Sequence, residues 1–157
     1  YKRQMQQYRI KFILGKITAY VDALRLGKTT VDDLTSYTQT AVEIEHIMPQ
    51  TCADKELYGM NDEDFSVYIN RLGNLTLLEN SINKAIHNDV YANKSKAYKQ
   101  SKFYLTSSLS ELVNQGHDTA INRTNSLLFA WSDWNKRSIE ERQEMLYRLS
   151  EMIWEMS

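Results

Sequence analysis

Three short stretches carry side chains able to do chemistry: Glu45-His46-Ile47-Met48-Pro49, Gly73-Asn74-Leu75, and Asn83. His46 is the reactive member, because an unperturbed imidazole titrates near about 6.5 and can take a proton from water at neutral pH. Taken singly, each stretch has a plainer reading. A Glu-His pair sits at a surface or in a core, an Asn after Gly makes a turn, and an Asn near a helix start makes a cap. Their order is more telling: acid and His at the end of one strand, Asn at the start of the next, Asn at the start of a helix.

The elements that must position them follow from periodicity. The run 40–47, TAVEIEHI, alternates apolar and polar residues, is rich in β-branched types and is ended by Pro49, the only proline. The run 74–79, NLTLLE, pairs with it as a two-stranded ribbon. Neighbouring residues on a regular strand face opposite ways, so Glu45 and His46 share a site only where the strand ends or twists. Between the strands lies an acidic insertion, 51–73, with a helix expected over 62–72 that presents Phe65, Tyr68, Ile69 and Leu72 and is closed by Gly73. Ser81 is the expected cap of the helix that carries Asn83.

Upstream, Ile10, Ile13, Leu14, Ile17, Tyr20, Val21 and Leu24 mark one face of a helix over 1–26, stopped by Gly27 and followed by a Thr30-capped turn to Leu34. Downstream, helices are expected over 105–115, over 120–134 and from Ser138 onward. There Ser138 and Glu141 match an S-x-x-E capping box, and Met145, Leu146, Leu149, Ile153 and Trp154 form a buried stripe. The expectation is a single α+β, mainly helical domain over 1–157. It divides into N-terminal helices (1–40), a hairpin-helix core (41–103) and C-terminal helices (104–157).

With 42% hydrophobic and 25% charged residues in 157, the composition is that of one ordinary globular domain, neither disordered nor collagenous. Nineteen Lys and Arg against twenty Asp and Glu give a formal charge of −1 and exclude a globally basic coat, so an anionic partner must meet a local patch. Two patches are present. One is Lys2, Arg3, Arg9, Lys11 and Lys16, with no acid before Asp22, read as a solvated helix face; the other is Lys84, Lys94, Lys96, Lys99 and Lys102, interrupted only by Asp89. The single cysteine, Cys52, excludes an internal disulfide and a thiolate zinc site, and a cytoplasmic location is expected. No run approaches the roughly 20 apolar residues of a membrane span, and the amino end lacks a signal-peptide pattern. The chain opens on Tyr1, so further sequence is expected upstream.

E-H-I-M-P, N-L-T-L-L and Asn83, nine residues after Asn74, together resemble the HNH or ββα-metal nuclease motif, which reads D-H-I-x-P, N-L-x-x-L, N. More closely, EHIMPQ, RLGNLTLLENSIN, the Lys-rich NDVYANKSKAYKQSKFYLT and the late Trp134, Ile139 and Arg142 resemble the C-terminal domain of GmrSD-type modification-dependent restriction enzymes. The gap of 28 residues from His46 to Asn74 departs from compact HNH modules and is similar to those domains. Glu45 stands where Asp is commoner.

The resemblance implies a ββα-metal hairpin-helix core embedded in a helical domain, and DNA endonuclease activity with His46 as general base. The Glu45 carboxylate and the Asn83 amide oxygen are hard donors, better suited to Mg²⁺ or Mn²⁺ than to Zn²⁺, and are the expected metal ligands. Asn74 is implied to hold the hairpin and His46 through hydrogen bonds without touching the metal. Asn88 and Lys94 match an N-x-x-[FY]-x-x-K stretch and, with Lys84 and Lys99, are the expected phosphate contacts. The implied substrate is double-stranded DNA, modified phage DNA included, with recognition and nucleotide hydrolysis in an upstream domain of the same protein. His87 and His117 have no partner in the pattern and read as structural or exposed. A second reading, motivated by the near-neutral charge and by Glu45, is a DNA-binding or partner-docking helical module that keeps the ββα shape without catalysis. A third is a plain helical scaffold.

Overall fold

The computed structural model describes residues 2–31 and 33–155. Tyr1 of the expected first helix, Asp32 of the expected 30–34 turn, and residues 156–157 lie outside the described residues.

Helix α1 (Lys2–Arg25) is exposed over residues 2–9 and enters the core in its second half, with Leu14, Gly15, Ile17, Thr18, Ala19 and Val21 all buried. Thr18 is tolerated there because its hydroxyl donates back to the Leu14 carbonyl at 2.6 Å. Gly27, at φ +69°, supplies the left-handed residue that stops the helix. The next turn starts later than expected: α2 spans Thr35–Thr38 with Leu34, not Thr30, at its N-cap, and the Asp33 carboxylate accepts from Thr35 N at 2.9 Å.

Strands β1 (Val42–His46) and β2 (Leu75–Glu79) form the expected antiparallel ribbon, with Val42 opposite Glu79 and His46 opposite Leu75. One face packs toward α1, where Val42, Leu75 and Leu77 join Leu14, Ala19, Tyr37 and Phe103 in a small core. The other carries Glu43, Glu45, Thr76 and Leu78 toward the helices that follow. Among the described residues the ribbon has two strands, so no third strand pairs with the outer edge of β1.

Helix α3 (Asp62–Tyr68), capped by Asn61, is shorter than expected, and a 3-10 turn at Leu72–Asn74 leads into β2. Helix α4 (Asn80–Ile86) packs on both strands. Ser81 does not cap it; the helix opens at Asn80, whose N–H is taken by the Ala41 carbonyl at 2.9 Å. Helix α5 (Tyr91–Tyr98) follows.

Two expected helices shrink: 105–115 to α6 (Tyr104–Ser107) and 120–134 to α7 (Ala120–Asn125). Their Ser, Thr and Asn side chains compete for the backbone. Ser108 Oγ donates to the Tyr104 carbonyl at 2.6 Å, and Asn125 Nδ2 reaches across to the Val113 carbonyl at 3.1 Å. Helix α8 (Lys136–Glu155) is capped by Asn135 rather than Ser138. Asn135 Oδ1 accepts from Ser138 N at 3.1 Å and Ser138 Oγ accepts from Asn135 N at 3.2 Å, a reciprocal cap displaced three residues toward the N-terminus. Around Trp134 the main core closes. Tyr91 stacks on Trp134 with ring centres 5.5 Å apart, and Trp131 meets it edge-on at 5.6 Å. No described helix is long and apolar enough to cross a membrane.

Candidate active site

His46 closes β1 on the face toward α1, and its Nε2 lies 3.0 Å from Asn70 Oδ1. Burial holds the imidazole below its ordinary titration range, a shift that the Asn70 contact opposes. The shift favours the neutral ring, the state a proton acceptor needs.

Asn74 is fully buried and uses its whole amide. Oδ1 accepts from Met48 N at 2.8 Å and Trp134 Nε1 at 3.0 Å, while Nδ2 donates to the carbonyls of Met48 at 3.1 Å and Ile69 at 2.9 Å. These four bonds tie together the chain just past His46, the end of the insertion and the C-terminal third. The late Trp-Ile-Arg pattern buttresses the same turn. Arg142, fully buried, donates through Nη1 to the carbonyls of Gly73 at 3.1 Å and Leu75 at 2.6 Å, and Ile139 packs in the core beside it.

The two expected metal ligands lie on the opposite face of the ribbon from His46. Asn83, on α4, donates Nδ2 to Glu43 Oε2 at 2.7 Å, so the carboxylate beside it is Glu43 and not Glu45. Its Oδ1 is buried and has no hydrogen-bond partner. Glu45 is buried, and its Oε1 takes both the Lys94 ammonium at 2.5 Å and the Tyr98 hydroxyl at 3.1 Å. Burial pushes the Glu45 carboxyl up and the Lys94 ammonium down, each opposed by the charge of the other. Among the described residues, no three of His, Cys, Asp and Glu converge in a way that could hold a metal ion.

The expected phosphate contacts separate. Lys94 is fully buried and also donates to the His46 carbonyl at 2.8 Å, so its ammonium faces the ribbon instead of solvent. Lys84 and Asn88 are exposed, and Lys99, also exposed, pairs with Glu111 at 3.0 Å.

His46 and Asn83 meet at the outer edge of β1. A cleft of about 780 Å³ is lined there by His46 and Asn70 from one face and Glu43, Asn83 and His87 from the other. The strand does not need to twist for both faces to contribute, because a solute can reach around its unpaired edge. Three members of this group were not singled out by motif: Glu43, Asn70 and His87. Glu43 is two residues before Glu45 on the same strand face, and His87 is one helical turn past Asn83, spacings that could have marked both. His87 is exposed, as expected, but its charge favours the ionised form of Glu45. The far wall comes from α1, through Arg3, Gln4, Gln7, Tyr8 and Lys11.

The model of one family, GmrSD restriction endonucleases, C-terminal domain, matches residues 1–149. The chain belongs to that family. No curated protein and no solved structure matches it. Membership ties the chain to the nuclease component of restriction endonucleases and covers α1, the ribbon and nearly all of α8. The GmrSD C-terminal domain here thus includes both walls of the cleft and the Trp134-Arg142 buttress.

Proposed function

We propose that this domain is a divalent-metal-dependent DNA endonuclease of the ββα-metal type, in which His46 is the general base. The observation that carries the reading is the convergence, in one cleft beside β1, of the His46 imidazole and Asn83, whose buried Oδ1 is unpartnered. The order β1, β2, α4, with α4 against both strands, supports the ββα assignment.

An orphaned buried carbonyl oxygen beside a carboxylate suits a hard cation. Asn83 Oδ1 would hold Mg²⁺ or Mn²⁺ together with the adjacent Glu43 carboxylate, whereas the expected ligand Glu45 is engaged by Lys94 and Tyr98. When bound, the ion neutralises charge on the phosphate and on the departing sugar oxygen. The chain's own residues do the rest. His46 takes the proton of the attacking water; Asn74 holds the strand end that carries it; Arg3, Lys84 and the α1 wall meet the DNA backbone. The parent is a restriction or phage-defence protein whose upstream domain recognises modified DNA and hydrolyses nucleotide.

Supercoiled plasmid incubated with the domain and Mg²⁺, Mn²⁺ or EDTA tests the reading. Metal-dependent nicking that is lost in His46→Ala and Asn83→Ala, both still folded, is expected. Unchanged cleavage by His46→Ala would overturn the assignment. One observation favours a second reading, a non-catalytic DNA-docking module: the Glu45 carboxylate already has a buried cation in Lys94. That module binds DNA with ordinary salt sensitivity but is indifferent to Mg²⁺.

A further inference from the structure

We propose that Asn70 is a positioning residue that fixes His46 as its Nε2–H tautomer and leaves Nδ1 as the nitrogen that accepts a proton. The part concerning catalysis rests on the general-base reading of His46; the tautomer does not.

A neutral imidazole has one N–H and one lone-pair nitrogen, and whichever ring nitrogen faces an obligate acceptor must carry the hydrogen. Asn70 Oδ1 is such an acceptor, 3.0 Å from Nε2. No other side chain among the described residues hydrogen-bonds the ring.

The contact is built into the scaffold. Asn70 sits on a turn held on both sides: Ile69 N donates to the Phe65 carbonyl at 3.0 Å and Arg71 N to the Tyr68 carbonyl at 3.1 Å. Asn74 grips the Ile69 carbonyl with the same Nδ2 that grips the Met48 carbonyl, so the residue before Asn70 and the second residue after His46 share one clamp. On the other side of β1, Lys94 holds the His46 carbonyl at 2.8 Å. The backbone under both partners is thus fixed, and an asparagine side chain has few torsions left to lose. This gives the long insertion between the strands a function: it delivers the residue that orients the base.

The test is a long-range ¹H–¹⁵N correlation spectrum of the His46 ring in the 157-residue chain, recorded at alkaline pH where the ring is neutral. A single Nε2–H tautomer is expected. In Asn70→Ala the two ring nitrogen shifts should move toward each other as tautomers mix, and Asn70→Asp, which keeps the acceptor, should restore the pattern. An Nδ1–H tautomer in the wild type, or identical ring shifts in Asn70→Ala, would overturn the proposal. In the plasmid assay Asn70→Ala should lower kcat about tenfold with KM for DNA unchanged, less than the roughly 100- to 10,000-fold that a positioned general base supplies. If the wild type has the Nε2–H tautomer but does not cleave, the positioning stands and the general-base reading falls. If it cleaves without that tautomer, the reverse holds.

Discussion

The Asn74 amide uses both donors and both acceptor lone pairs inside the protein, so its removal strands several groups at once. Each buried polar group left unpaired costs about 1–3 kcal/mol, and the losses are not additive. Asn74→Ala should therefore lose about 3–5 kcal/mol in urea denaturation, whereas the exposed Asn88→Ala stays within about 0.5 kcal/mol of wild type. A loss under about 1 kcal/mol would mean that the hairpin is held by something else. The Glu45–Lys94 pair follows a different rule, since removing one partner leaves a buried charge alone. Lys94→Met should cost about 3–5 kcal/mol, and adding Glu45→Leu should recover most of it. Additive losses in this double-mutant cycle would show that the two charges are uncoupled. Lys94 also shows what motif spacing could not reveal. Its place in a Lys-rich helix suggested a phosphate contact, yet its partner lies 49 residues away on β1, a distance no local pattern spans.

Helix α8 meets the turn before β2 with no room between them. A Cβ added at Gly73 would lie 2.2 Å from the Ile139 carbonyl oxygen and 2.9 Å from Gln143 N, both backbone atoms of α8. Gly73→Ala should destabilise the domain by about 3 kcal/mol or more and perturb the near-UV dichroism of the neighbouring Trp134; an unperturbed spectrum and stability would contradict the packing. At the other wall, Arg3 lines the cleft and Arg9, one face around α1, does not. If α1 meets DNA there, Arg3→Ala should reduce the slope of log affinity against log salt by about 1 and Arg9→Ala should leave it unchanged. Equal effects would return α1 to the solvated face expected from sequence. The elements differ in how well they could be read for a physical reason. The ribbon was legible because Val42-Glu43-Ile44-Glu45-His46 alternates and Leu75–Glu79 pairs with it, and α8 was legible from its apolar stripe; the two short helices between Phe103 and Ser126 were not, because their length is set by Asn125 and Ser108 side chains bonding the backbone.

At the scale of the molecule, the motif residues lie within 41–103, but the forces that fix them do not. Trp134 Nε1 supplies one of the four bonds to Asn74, and Arg142 holds the carbonyls on both sides of it. The α1-facing side of the ribbon is covered by Leu14 and Ala19. Sequence reading located His46, Asn74 and Asn83 because their order is local. It missed Glu43 and Asn70, which reach Asn83 and His46 only after the insertion folds back and α4 packs, and it treated the Trp134-Arg142 pattern as family resemblance without a task. The pairing of β1 and β2 with α4 is therefore a dependent part, unlike a compact module that folds alone. A fragment spanning 41–103 loses both the Asn74 buttress and the cover of β2, which exposes Leu75 and Leu77 and leaves fewer than about 70 residues to build a core. Its amide spectrum should collapse to the narrow range of an unfolded chain, while a fragment ending after α8 keeps the dispersion of the whole. Native-like dispersion in 41–103 would show that the hairpin and its helix hold His46 without help, and that α1 and α8 serve the substrate rather than the fold.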